Sequence, residues 1–206
     1  MNRISLIGIP GSGKSELAEA LSDHIIRNDG CECKTPVSII DDYVSDVSER
    51  LDLAAGFDGF YVINVAIALE RLGRERTASG KTVITCGSLI ETTNYASLYV
   101  ESHQRFWTTP EEEADNAKRT QAFLLMLGCL YMDSFNYDTV YYLPPVLPVS
   151  DDRMKVLDRN IQAAFQVFPT IKITPLAAEG SSLEEVTANR IKLIEENDEA
   201  SPIDRS

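Results

Sequence analysis

Short apolar runs closed by glycine or proline recur along the chain, and apolar residues between them fall at helical spacing. Arg3 to Ile9 begins the pattern. Ile4, Leu6, Ile7 and Ile9 form a run that stops at Pro10 and Gly11, which predicts a buried strand. Lys14 to Asn28 predicts a helix with Leu17, Ala18, Leu21 and Ile25 as its apolar stripe, ended by Asp29-Gly30. Pro36 to Ile40 predicts a second strand that delivers Asp41 and Asp42 at its carboxyl end. A helix over Phe60 to Arg76 is apolar at Val62, Ile63, Val65, Ala66 and Leu69, and Lys81 to Cys86 is a third strand. Helices are expected over Leu89 to Gln104 and from Pro110 to Phe135, the second opened by proline and the acids Glu111 to Glu113. Asp138 to Leu143 is a fourth strand, stopped by Pro144-Pro145. A helix follows from Ser150 to Phe168, then a fifth strand over Thr170 to Thr174. Ser181 to Glu185 has capping-box character and opens a last helix running to about Glu196.

Strands alternate with helices throughout, with no internal repeat and no linker that would divide the chain. This predicts an α/β fold of three layers: a mainly parallel sheet with helices on both faces. One domain is expected over residues 1–196, with a proline-stiffened lid over 144–160 and a polar tail over 197–206.

Composition narrows the picture. With 206 residues, 44% of them apolar, the chain is long enough for one sizeable core. A formal net charge of −13 repels a phosphate backbone and argues against broad, non-specific nucleic-acid binding. Cys31 and Cys33 are one residue apart, unlike the wider spacing of a zinc knuckle. With Cys86 and Cys129 they read as free thiols of a reducing compartment. No apolar run approaches the ~20 residues that span a bilayer. The N-terminal run leads straight into a glycine loop rather than a signal-peptide pattern. The expectation is a cytoplasmic protein without a membrane partner.

The strongest chemical signal is Gly8-Ile9-Pro10-Gly11-Ser12-Gly13-Lys14-Ser15. It fills every fixed position of the phosphate-loop pattern, between a predicted strand and a predicted helix. Glycines let the backbone curl so that successive N–H groups face one anion, and the helix N-terminus adds positive potential. Gly8, Pro10, Gly11, Ser12, Gly13, Lys14, Ser15 and Glu16 are therefore the expected triphosphate-binding segment, for ATP or GTP. Lys14 is expected to reach the β- and γ-phosphates, and the Ser15 hydroxyl to ligate Mg²⁺.

The other strand ends bear on the chemistry, because ligands gather there in open sheets. Asp41 or Asp42 suits a base for an attacking hydroxyl, and Asp42 with Ser15 suits a magnesium site. The third strand ends Thr85-Cys86-Gly87-Ser88 without an aspartate, and Glu91 is the nearest acid. The loop after the fourth strand carries Pro144, Pro145 and Pro148 and leads to Arg153, the first candidate for a charge-stabilising arginine, ahead of Arg159 and Arg119. Tyr43, Phe57, Phe60, Tyr61 and Asn64 are candidates for base contact.

Taken together, Lys14, the acidic end of the second strand and the proline-broken lid resemble the P-loop nucleoside and nucleotide kinases. Ser88 to Tyr99 and the lid from Leu143 to Arg153 are similar to the nicotinamide-riboside-kinase-like branch and to phage thymidylate-kinase-like proteins. The resemblance covers about residues 1–195 and implies a five-stranded parallel sheet and ATP-dependent, Mg²⁺-dependent phosphoryl transfer to a small nucleoside or nucleotide. Two features depart from it: the third-strand aspartate of the riboside-kinase branch and the Asp-Arg-Tyr motif of cellular thymidylate kinases are both missing.

Two alternatives stay open. One is a kinase of hydroxymethylated pyrimidine bases in phage DNA, which a basic strip would favour, made of Arg71, Arg74, Arg76 and Lys81 or of Lys118, Arg119, Arg153 and Lys155. The other is a regulatory P-loop ATPase acting through a protein partner. A homodimer is the assembly to expect on general grounds.

Overall fold

Five strands carry the fold: β1 (Asn2–Ile7), β2 (Val37–Ile40), β3 (Thr82–Cys86), β4 (Thr139–Tyr142) and β5 (Ile173–Pro175). The described residues also form the helices α1 (Lys14–Asn28), α2 (Phe57–Thr77), α3 (Asp152–Gln166) and α4 (Leu183–Ala200). The structure is a computed structural model that describes residues 2–28, 37–41, 57–88, 91, 118, 122, 137–166 and 173–200. Asp42, Tyr43, Cys31, Cys33, Trp107, Arg119 and Cys129 lie outside them, as does nearly all of the two helices expected between Leu89 and Phe135.

The sheet is parallel throughout, in the order β2-β3-β1-β4-β5. Ile4 pairs with Ile84 on one side and Thr139 on the other, so β1 lies at the centre. A parallel centre needs cover on both faces, which explains why β3 is buried at all five positions. On one face Ile4, Leu6, Ile84 and Tyr141 pack against Leu17, Ala18 and Leu21 of α1 and Ile194 of α4. On the other, Ile40 and Val83 meet Ile67 of α2. Each large aliphatic side chain removed from water here contributes about 1.5–3 kcal/mol.

Several boundaries move from the sequence reading. The fourth strand is shorter, and α4 continues past Glu196 to Ala200, so helix enters the segment read as tail. The packing face of α2 also differs. Ile67 and Ala68 are buried while Leu69 is 54% exposed, and Arg71 and Glu75 continue the inward stripe at i+4 and i+8 from Ile67. A charged pair occupies positions that a purely apolar reading leaves to solvent.

Strand order fixes where a ligand crevice opens. After β1 the chain passes to β2 on one side, and after β3 it crosses to β4 on the other. The adjacent carboxyl ends of β1 and β3 are thus the topological switch point.

Candidate functional site

At that switch point β1 runs out into Gly8, and the chain curls over Ile9 to Gly13 before α1 begins at Lys14. Gly11 and Gly13 have φ of +79° and +80°, a left-handed backbone that residues with a Cβ rarely adopt. Gly8 is required by space as well. A Cβ there would stand 2.6 Å from the Leu143 carbonyl and 2.8 Å from the Ser12 hydroxyl. The Ser12 N–H donates to the Ile9 carbonyl at 3.2 Å, closing the turn. Pro10, Gly11 and Glu16 face outward, whereas Gly8, Ser12 and Gly13 are buried. The Ser12 hydroxyl is buried and has no hydrogen-bond partner among the described residues. A loop of this shape, at the N-terminus of a 15-residue helix, suits an anion with several oxygens.

Lys14 folds back on its own loop. Its Nζ donates to the carbonyls of Gly8 at 2.5 Å and Ile9 at 3.3 Å and lies 3.4 Å from Glu91 Oε1. Glu91, one helical turn beyond β3, is buried, and the same oxygen accepts from the Gly8 N–H at 3.3 Å. Ser88 accepts from the Glu91 N–H at 3.1 Å and so holds the carboxylate under the loop. Burial pushes the Glu91 carboxyl above its ordinary range, while Lys14 and Arg71 pull it back.

Arg71 connects this acid to the rest of α2. It donates to the Cys86 carbonyl at 3.0 Å and lies 3.8 Å from Glu75. Tyr137 donates to both Glu75 oxygens, at 3.2 and 3.3 Å. Burial drives the Glu75 carboxyl up from 4.5 to about 7, with Arg71 and then Tyr137 opposing it. A buried line of ionisable groups therefore runs beneath the glycine loop from Lys14 through Glu91, Arg71 and Glu75. Arg71 and Glu75 escaped the sequence reading as site residues, although an Arg–Glu pair at i,i+4 was there to be seen. The sequence pattern offers Arg71 instead to a basic strip with Arg74, Arg76 and Lys81. Two of these are occupied otherwise, Arg71 in the core and Arg74 on Glu70 at 2.9 Å. Arg71 is thus withdrawn from a surface strip with Arg76 and Lys81, which are exposed.

Asp41 follows β2 directly, and the Ser15 hydroxyl donates to its Oδ1 at 2.7 Å. Hydroxyl and carboxylate thus offer two adjacent oxygens at the mouth of the loop. A hard divalent cation takes oxygen ligands, and magnesium commonly uses one or two carboxylates together with substrate phosphates. The residues present fit such an ion bound with a nucleotide. Among the described residues no three His, Cys, Asp or Glu side chains gather into a closed metal cage. Cys86, at the end of β3, is a free buried thiol. Burial, and then the charge and hydrogen bond of Asp41, push it up to about 12, so it stays protonated.

The proposed lid begins at Pro144, and Asp151 caps α3 by accepting from the Arg153 N–H at 2.9 Å. The Arg153 guanidinium is exposed, and its hydrogen bonds go to the same Asp151, at 3.3 and 3.0 Å. This pairing holds the Asp151 carboxyl below its usual range. The rest of α3 is docked: Leu157 and Ile161 are buried, and Tyr142 at the end of β4 donates to Asp158 at 2.9 Å. Arg159 is exposed and donates to the Lys155 carbonyl.

The architecture is shared with solved structures. A thymidylate kinase from Ehrlichia chaffeensis superposes with a TM-score of 0.60 at 15% identity, covering 94% of this chain and 98% of that one. A deoxyadenosine kinase from M. mycoides, with dCMP and dCDP bound, gives 0.58 at 10% identity over 97% and 100% of the two chains. A thymidylate kinase from Candida albicans gives 0.55 at 14% identity over 97% and 93%. This is the fold of nucleoside and nucleotide kinases. No protein-family model matches the chain, and no curated protein matches it in sequence. No helix among the described residues is long and apolar enough to cross a membrane.

Proposed function

We propose that the protein transfers the γ-phosphoryl group of ATP to a hydroxyl or phosphate of a nucleoside or nucleotide, in the manner of a thymidylate kinase. The observation that carries this reading is the Ser15–Asp41 contact of 2.7 Å, which joins the last residue of a complete phosphate loop to the acid ending β2. The kinase fold of the similar structures supports it.

Each side chain has a distinct task. The loop amides and the N-terminus of α1 hold the β- and γ-phosphates. Lys14 exchanges its contacts with the Gly8 and Ile9 carbonyls for phosphate oxygens, while Glu91 keeps its hold on the Gly8 N–H. Ser15 and Asp41, with Asp42 beside them in sequence, hold magnesium, whose chemistry here is to neutralise charge on the transferring phosphoryl group. Asp41 or Asp42 orients the acceptor hydroxyl and takes its proton. Arg153 leaves Asp151 when a lid closes and faces the transferred group. Phosphoryl transfer requires positioning and charge neutralisation more than covalent catalysis, and this set supplies both. The burial of Arg71, which takes it out of one of the two basic strips, weighs against a DNA-base acceptor.

Incubation with γ-labelled ATP, magnesium and a panel of nucleosides and nucleotides tests the proposal. Label is expected in one class of acceptor. Label recovered only as free phosphate would remove the kinase reading and favour a regulatory ATPase.

A further inference from the structure

Arg190 of α4 is 1% exposed, yet every hydrogen bond it makes goes to a main-chain carbonyl. Nη1 donates to Ser12 at 2.5 Å, Nη2 to Pro144 at 2.7 Å and Nε to Leu176 at 3.2 Å. These acceptors belong to three separate segments: the phosphate loop, the root of the proposed lid and the turn after β5. Burial with no carboxylate partner among the described residues disfavours the charged form, and it pulls the guanidinium below its usual range. The fork is thus bought at a desolvation penalty that three neutral carbonyls offset only in part.

The contact with Ser12 has a geometric consequence. The peptide between Ser12 and Gly13 is trans, so its C=O and N–H point in opposite directions. With the Ser12 carbonyl drawn toward Arg190 of α4, the Gly13 N–H points away from that guanidinium. Leu183 and Arg190 wall the other side. A Cβ on Gly13 would stand 2.9 Å from Leu183 Cδ1 and 3.3 Å from Arg190 Nη1.

We infer that Arg190 is a positioning residue for the triphosphate, fixing the Ser12–Gly13 peptide so that its N–H meets a phosphate oxygen and tying the loop to the lid root. The inference rests on the phosphate-loop reading above and extends it to a residue far away in sequence. Its guanidinium lies one peptide unit behind the anion, so it favours negative charge in the loop without touching it.

The probe is Mg-tripolyphosphate, which isolates the phosphates from base and sugar, titrated by calorimetry at a temperature where circular dichroism shows each protein folded. Arg190→Gln is expected to bind it about tenfold or more weakly, the equivalent of one charged hydrogen bond. Arg190→Lys keeps the charge but not the fork, and is expected to recover part of that affinity. Ile161→Val, which shortens a fully buried aliphatic side chain outside the loop, controls for lost stability and is expected to bind normally. Affinity of folded Arg190→Gln within twofold of wild type would overturn the inference, as would an equal loss in Ile161→Val at matched melting temperature. If Arg190→Gln does not fold, Arg190→Lys decides: it should bind several-fold more weakly than wild type, and unchanged affinity refutes the role. Wild-type protein that binds no tripolyphosphate would overturn the phosphate-loop reading itself, a distinct result.

Discussion

Replacing Glu75 by glutamine should flatten part of the protein's stability against pH. Glu75 is 4% exposed on α2, between Arg71 and the Tyr137 hydroxyl. Burial raises its carboxyl from 4.5 to about 7. Between those values the unfolded chain releases the proton while the folded chain keeps it. The unfolded state then binds fewer protons, so stability falls as pH rises. The contribution is fully present below 4.5 and gone above about 7. The displacement corresponds to about 3 kcal/mol in all, of which about 2.5 kcal/mol falls between about pH 5 and about pH 8. Urea unfolding of wild type and Glu75→Gln across that range reads it directly. Glutamine matches the neutral carboxyl in size and charge, so any further cost of the variant, from recasting the hydrogen bond with Tyr137, does not depend on the titration of residue 75. The wild-type advantage should therefore shrink with rising pH by about 2.5 kcal/mol. Parallel stability curves would refute the argument, because they would mean that Glu75 ionises normally and that the buried line beneath the phosphate loop is hydrated.

Other consequences follow from the same geometry. Asp41→Asn should reduce phosphoryl transfer by about 10²–10⁴-fold, far more than it weakens calorimetric affinity for Mg-ATP, and undiminished turnover would remove the base assignment from Asp41. Gly8→Ala forces a Cβ against the Leu143 carbonyl, so thermal denaturation should show a loss of about 1–3 kcal/mol together with weakened nucleotide binding. Arg153→Ala breaks only an exposed pair, so the melting temperature should hardly move, while a fall in kcat at unchanged KM for ATP would reveal its task in the lid. Iodoacetamide applied to the native protein should leave Cys86 unmodified in peptide mass maps, since its thiol is buried and protonated.

The glycine loop from Gly8 to Ser15 and its flanking elements were legible in the sequence because their causes are local. Glycine spacing dictates the curl, the apolar run dictates β1, and the stripe of Leu17 and Leu21 dictates which face of α1 turns inward. The alternation of strands and helices likewise announced a parallel sheet covered on both faces, since parallel strands need crossovers. Tertiary structure alone decided what lies against that loop. Glu91 reaches the Gly8 N–H across 83 positions and Arg190 reaches the Ser12 carbonyl across 178, and no periodicity encodes such encounters. Nothing in the local pattern around Arg71 and Glu75 marks them as buried; the Cys86 carbonyl and the Tyr137 hydroxyl, which meet them in the fold, do. Local pattern depends on the backbone's own geometry. The partners of a buried charge depend on strand order, which brings the ends of β1 and β3 together and leaves those groups to satisfy one another.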